Sequence, residues 1–223
     1  RLGNIPAKGK DTDSIKPPGI SSLALADTPT AFHVTVLPDA PFLVLPEVSS
    51  ERREYAPIGW LEPPTVPSNL VRVLLGATPG LFAVLTSAMH MAWLRSIGGR
   101  LESRYRYSIG LVYNTFPMPP VKDLSPLSPH AQAILDARAR HPGATLADLY
   151  DPDQMPADLR RAHRNNDRAV DRLYRRGAFA SEGDRVAHLL GMYEQQVAGM
   201  LAAQKQRRPR KPKAATQKGQ TQG

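Results

Sequence analysis

Cysteine is absent from the 223-residue chain, which removes disulfides, thiol nucleophiles and cysteine-ligated zinc together. Aromatic residues make up only 6%, so the core they can build is modest. No run approaches the ~18 uninterrupted apolar residues of a membrane helix, and the N-terminus lacks the basic-then-apolar pattern of a secretory signal. The expectation is a soluble, cytoplasmic protein with no membrane partner. His33, His90, His130, His141, His163 and His188 never pair at metal-ligand spacing, and no HExxH or carboxylate–histidine cluster accompanies them. No metal, catalytic or cofactor-binding residue is therefore expected in this stretch, and an autonomous enzyme is disfavoured. The turn from Gly76 to Gly80 lacks the strand–GxGxxG–helix pattern that admits a phosphate, and its Pro79 has no N–H to donate. It reads as a helix break.

What is abundant is proline. There are 22 prolines, about one residue in ten against a usual ~5%, so secondary structure is expected to be frequently interrupted. A hydrophobic fraction of 41% with 22% charged residues is nonetheless a globular balance. The net charge of +9 is unevenly distributed. Residues 1–120 carry 11 Lys/Arg and 9 Asp/Glu, 121–204 carry 11 of each, and 205–223 carry 7 and none, giving +2, zero and +7. Rich in Lys, Arg, Gln and Pro, the last stretch buries too little apolar surface to offset its ordering entropy. It is expected to be a disordered basic tail, either a solubilising terminus or a weak attractor of nucleic acid phosphate.

Periodicity gives the fold class. Short β-type runs cut by proline occur at Ala31 to Leu37, Phe42 to Leu45 and Ile58 to Leu61, with a loop from Lys8 to Ser22. From Asn69 to Ile97 the pattern lengthens to helical, interrupted at Pro79 and Gly80 and stopped by Gly98 and Gly99. The prolines at 117, 119 and 120 exclude regular helix or central strand there. Beyond them come three helical signals. Ser128 and Pro129 suit a helix start leading to Ala139, and Pro142 and Gly143 end it. Pro156 opens a helix with Leu159, Ala162, His163, Asn166, Val170 and Leu173 on one face. Ser181 and Asp184 resemble a capping box ahead of a Val186 to Met200 stripe. The last two helices are expected to face each other as a hairpin, with the pairs Arg164/Asp167, Arg168/Asp171 and Asp167/Asp171 mixing support with repulsion. The chain is thus expected to be α+β: a small irregular β-containing domain with helices over 1–120, a helical domain over 121–204, and the tail over 205–223.

Two clusters carry candidate chemistry. Between Trp93 and Tyr113, Arg95, Arg100, Arg104 and Arg106 outnumber the single acid Glu102, with Tyr105, Tyr107 and Tyr113 interleaved. Guanidinium forks fit phosphate oxygens or the O6/N7 edge of guanine, and tyrosines can reach phosphate or sugar. The plainer alternative is that Tyr107 and Tyr113 are core residues while the arginines solvate an edge. The second cluster is Ser49 to Tyr55, where Arg52 and Arg53 stand between Glu51 and Glu54. These four can neutralise one another; alternatively, arginine reads guanine and glutamate the cytosine amino group.

Several ordered segments together resemble the C-terminal portion of MmeI-like (Type IIL) restriction-modification enzymes and their methyltransferase relatives. They are Val48 to Arg53 with Pro57 to Gly59, Ser87 to Trp93, Gly99 to Ser108, Val112 to Pro119, Leu146 to Pro152, Met155 to Leu159, Ala162-His163 and Asp167 to Asp171. The resemblance covers roughly residues 25–200. It implies the later part of a target recognition domain, then a helical C-terminal domain, downstream of an S-adenosylmethionine-dependent adenine-N6 methyltransferase domain on the same polypeptide. Since the chain opens with Arg1 rather than Met, the cofactor and the catalytic motifs are expected upstream. Asn114-Thr-Phe-Pro117 does not place proline where an Asn-Pro-Pro-Phe/Tyr base-holding loop needs it. One departure from the family pattern is Asn166, where an apolar residue is usual. An unpaired buried amide there would cost about 1–3 kcal/mol, so either the hairpin is loose or the amide finds a partner.

The expected function is sequence-specific recognition of double-stranded DNA for that upstream domain. Glu51, Arg52, Arg53, Arg100, Arg104, Tyr105 and Arg106 are the expected contacts, Glu51 for base reading and Tyr105 toward phosphate or sugar. The rival from another class is a helical protein-interaction module whose basic tail binds nucleic acid non-specifically.

Overall fold

The computed structural model describes residues 38–207. The expected strand at 31–37, the loop at 8–22 and the tail beyond 207 lie outside them. The described residues form an α+β fold with two small antiparallel sheets and six α-helices.

The strand signals translate directly. β1 (Phe42–Pro46) is apolar throughout because both its faces are covered, with Phe42, Leu43 and Leu45 at 0–1% exposure. It is the centre of a sheet ordered β3-β1-β4, flanked by β3 (Gly59–Leu61) and β4 (Val71–Leu74). Glu47 then turns the chain out of that sheet into β2 (Val48–Ser49), which opens a second sheet with β5 (Gly99–Leu101) and β6 (Arg104–Arg106), ordered β2-β6-β5. β4 corrects the helical reading of Leu70 to Leu74. Its apolar residues fit either period over four residues, and pairing with β1, Val44 opposite Val73 and Leu43 opposite Leu74, decides the matter.

The glycine turn starts a helix rather than breaking one. Thr78 caps α1 (Pro79–Leu85) by accepting the Leu81 N–H at 3.2 Å, and Pro79 occupies the first turn, where its missing N–H is harmless. Gly80 is required there by contact, since a Cβ would lie 2.4 Å from the Leu124 carbonyl oxygen. The expected single stripe is two helices, α1 and α2 (Ala88–Ile97). The break falls at Thr86 and Ser87, whose hydroxyls donate to the Phe82 and Val84 carbonyls at 2.8 and 2.6 Å. Side-chain competition for α1's last carbonyls ends it without glycine or proline.

α2 stops at Gly98, and β5 (Gly99–Leu101) and β6 (Arg104–Arg106) follow as a hairpin. A π-helical turn (Ile109–Tyr113) and a 3₁₀ turn (Ser125–Leu127) lead to α3 (Ser128–Ala139). α4 (Leu146–Leu149) is one turn with a reciprocal Thr145–Asp148 capping box, and α5 (Ala157–Tyr174) and α6 (Glu182–Arg207) complete the fold. α6 runs past the expected end at 204.

The expected hairpin of the last two helices does not form along their length. α5 packs on α3, while α6 lies along α2, with Tyr193 beside Trp93 at 5.8 Å between ring centroids. Two apolar stripes state that each helix buries a face, not which neighbour covers it. Asn166 does find a partner: fully buried, it donates through Nδ2 to the Ala83 carbonyl at 2.8 Å, tying α5 to α1.

One hydrophobic core runs from β1 through α1 and α2 to α3, α5 and the start of α6. Polar groups lace it. Tyr55 donates to Asp167 at 2.6 Å, the Ala88 N–H donates to the same carboxylate at 2.7 Å, and the Tyr55 ring stacks on His163 at 4.1 Å. His163 Nε2 meets the Tyr150 hydroxyl at 2.7 Å, and Arg138 donates to that hydroxyl and to the Ile58 carbonyl. Burial drives His163 down to about 3, with the Arg138 charge acting in the same direction, and raises Asp167 to about 6. His90, fully buried against the Tyr107 hydroxyl at 2.9 Å, is lowered to about 3 by desolvation alone. Among the described residues no group of acids and histidines could hold a metal ion, and no helix is long and apolar enough to cross a membrane.

Candidate nucleic-acid interface

Strand alternation sorts the arginine–tyrosine cluster. β6 pairs with β5 so that Arg106 faces Gly99, Tyr105 faces Arg100 and Arg104 faces Leu101. Side chains two apart share a face, so Arg104 and Arg106 project together from one side and Tyr105 and Arg100 from the other. Arg104 stands at the tip, beside the two-residue turn Glu102-Ser103. Glu102 adopts φ 57°, a left-handed conformation uncommon outside glycine and asparagine. Its carboxylate accepts from Arg104 at 2.7 Å.

The two faces differ. Tyr105, expected toward phosphate or sugar, is only 7% exposed, and the Arg100 guanidinium covers its ring at 4.0 Å. What this face offers a ligand is therefore the arginine. Tyr107 is likewise a core residue, its hydroxyl pushed up by burial.

On the opposite face Arg104 and Arg106 remain 47% and 58% exposed. Arg106 reaches Glu47 at 3.3 Å, and Arg72 from β4 reaches the same carboxylate at 3.0 Å. Arg72 and Glu47 escaped the sequence reading. The only signal was Arg72 interrupting an apolar run, which becomes meaningful once that run is a strand with alternating faces. Glu47, Arg72, Gly99 and Arg106 to Leu111 line an open groove of about 460 Å³. Solvent-exposed ion pairs contribute about 0–1 kcal/mol, so these arginines can exchange a carboxylate for a phosphate or base edge at little cost. Three cations and two carboxylates on one rim present both donors and acceptors.

The second cluster is a fixed loop between β2 and β3. Arg95 on α2 donates to the Arg53 and Glu54 carbonyls at 3.0 and 3.2 Å and pairs with Glu182. Arg160 on α5 reaches Glu54 at 3.1 Å, and Arg52 reaches Asp153 at 2.6 Å with both groups well exposed. Arg53 donates to Ser49 Oγ at 3.3 Å, and Glu51 makes no hydrogen bond among the described residues. Of the two alternatives for this cluster, neutralisation among its own four charges is not what forms: Arg52 and Glu54 each pair outside the loop. Because β2 pairs with β6, Ser49 opposite Tyr105, the loop springs from the same sheet as the hairpin.

Comparison with known proteins gives a consistent picture. The model for the target recognition domain of MmeI matches residues 17–120, and that for the C-terminal domain of MmeI matches residues 121–201. DNA methyltransferase A of Bacillus subtilis (strain 168) is 40% identical over 188 residues, 83% of this chain and 21% of that protein. The structure of the Type IIL restriction-modification enzyme MmeI in complex with DNA matches with a TM-score of 0.74 and 41% identity, over 82% of this chain and 25% of that one. The chain thus spans about a quarter or less of the length of these relatives.

Proposed function

The chain belongs to the MmeI family, and on that premise we propose that it is the sequence-specific duplex DNA recognition module of a restriction-modification adenine-N6 methyltransferase. The observation that carries this reading is the paired, exposed Arg104 and Arg106 on one face of a tight hairpin, above a groove whose other wall holds Arg72 and Glu47. The tip of this hairpin, standing at the edge of the β2-β6-β5 sheet, can enter the major groove, where its forks can address guanine O6/N7 while the neighbouring carboxylates address cytosine amino groups. Arg52, Arg53, Arg100 and Glu51 supply further contacts around that ribbon, the arginines to phosphate and Glu51 to a base. S-adenosylmethionine is held by a methyltransferase domain upstream on the same polypeptide. The part played by the chain is to orient the duplex so that this domain can extrude an adenine.

The test is duplex binding by the full chain carrying Arg104→Ala or Arg106→Ala. Each is expected to weaken binding to the target site and relax preference at one base pair, worth about 1–3 kcal/mol of discrimination. Unchanged affinity in both variants would sink the proposal.

A further inference from the structure

α5 carries a second cationic surface. Its acids are all engaged or turned inward: Asp158 is held by Arg140 and His141, Asp167 is buried against Tyr55 and the Ala88 N–H, and Asp171 is bound by Arg185 at 2.6 Å. The Arg164/Asp167 and Arg168/Asp171 pairs expected from sequence therefore do not form. Arg161, Arg164, Arg168 and Arg172 are left exposed and without an ion-pair partner among the described residues. Their spacing of three, four and four residues places them on one face, as a stripe roughly 16 Å long at 1.5 Å per residue.

Like charges at i,i+4 are mildly unfavourable in a helix, and this stripe contains Arg164/Arg168 and Arg168/Arg172. No exposed acid on α5 relieves them. Such an arrangement complements a regularly spaced polyanion. Each strand of a duplex presents a phosphate per ~3.4 Å of axis, so the stripe matches about five steps. Guanidinium is the donor suited to phosphate oxygens. The start of α5 is also tied to the recognition loop, through Arg160 to Glu54, so the helix is held in a fixed relation to that loop.

We infer that the Arg161–Arg172 stripe of α5 is a sequence-independent phosphate-backbone contact for duplex DNA, separate from the base-reading hairpin. The inference rests on the recognition function proposed above, and it assigns the two surfaces different jobs: the hairpin sets which sequence is preferred, and the stripe sets how tightly any sequence is held.

The experiment measures affinity against salt for the full chain and its Arg164→Gln/Arg168→Gln/Arg172→Gln variant, on a target duplex and a scrambled one. The variant is expected to bind both duplexes roughly tenfold or more weaker near 0.1 M salt. Its plot of log affinity against log salt should be shallower by about 2.7, since each of the three lost phosphate contacts removes ~0.9 from the slope. The preference for target over scrambled duplex should stay as it was. An unchanged slope, with the unaltered chain binding normally, would overturn the stripe and leave the hairpin reading intact. A loss confined to the target duplex would also overturn it, since that would make the stripe a sequence reader. Failure of the unaltered chain to bind duplex would overturn both readings. Circular dichroism and an unaltered thermal midpoint exclude unfolding as the cause of a loss, because all three side chains are exposed.

Discussion

The hairpin rim and the helical interior use the same two charged side-chain types, arginine and carboxylate, in opposite ways. On the rim, Arg104 and Glu102 meet in solvent, and the exposed Arg106 reaches a Glu47 that is 21% exposed. Inside, Asp167 accepts from buried Tyr55, and Asp171 holds Arg185 with both groups less than one-fifth exposed. Burial decides the consequence. A pair in water forms and breaks freely and adds little to stability, whereas a buried acceptor deprived of its donor, or a donor of its acceptor, costs about 1–3 kcal/mol each. The rim is therefore free to bind and the interior is committed to holding the fold.

Acid should break this contrast most severely. His90 and His163 titrate near 3 when folded and near 6.5 when unfolded. Protons thus bind the unfolded chain first, and the stability present above pH 6.5 is lost as pH falls toward 3. Asp167 has the opposite sign: raised to about 6 from 3.8, it favours the folded state as pH falls through that window. Two histidines outweigh one aspartate, so unfolding free energy should drop by several kcal/mol, on the order of the linkage from two such shifts. Urea titrations at several pH values check this; a flat profile between pH 6.5 and 4 would contradict it.

Removing one interior acceptor comes next. Asp167→Ala strands the Tyr55 hydroxyl and the Ala88 N–H and should cost about 2–5 kcal/mol, read as a lowered urea midpoint. Asp167→Asn keeps an acceptor and should cost less. On the rim, Arg104→Ala and Arg106→Ala should do the reverse, reducing duplex affinity while shifting the thermal midpoint negligibly. The smallest effect belongs to Arg52→Gln, whose partner Asp153 is 71% exposed; no change in thermal midpoint is expected, and a clear drop would mean that this pair holds the loop in place.

Much of the fold could be read from local chemistry. Proline-bounded apolar runs gave β1 and β3, Gly98 the end of α2, Pro156 the start of α5, and Ser181 the cap of α6, where its Oγ accepts the Asp184 N–H at 3.2 Å. What could not be read depended on distant partners. β4 needs β1 to be a strand, and α6 needs α2 rather than α5 as its neighbour. For the candidate site, composition located the arginines, but the register separating Arg104 and Arg106 from Arg100 and Tyr105 emerges only when β5 and β6 pair. The inward turn of Asp167 and Asp171 likewise depends on what α5 packs against.

The loop carrying Arg52 and Arg53 has a consequence for exchanging specificity between relatives. It is fastened at two points, by Arg95 to its backbone and by Arg160 to Glu54, and both anchors lie elsewhere in the chain. A graft that moves the loop alone would arrive without its moorings, so the natural unit of transplantation is the loop together with α2 and the start of α5.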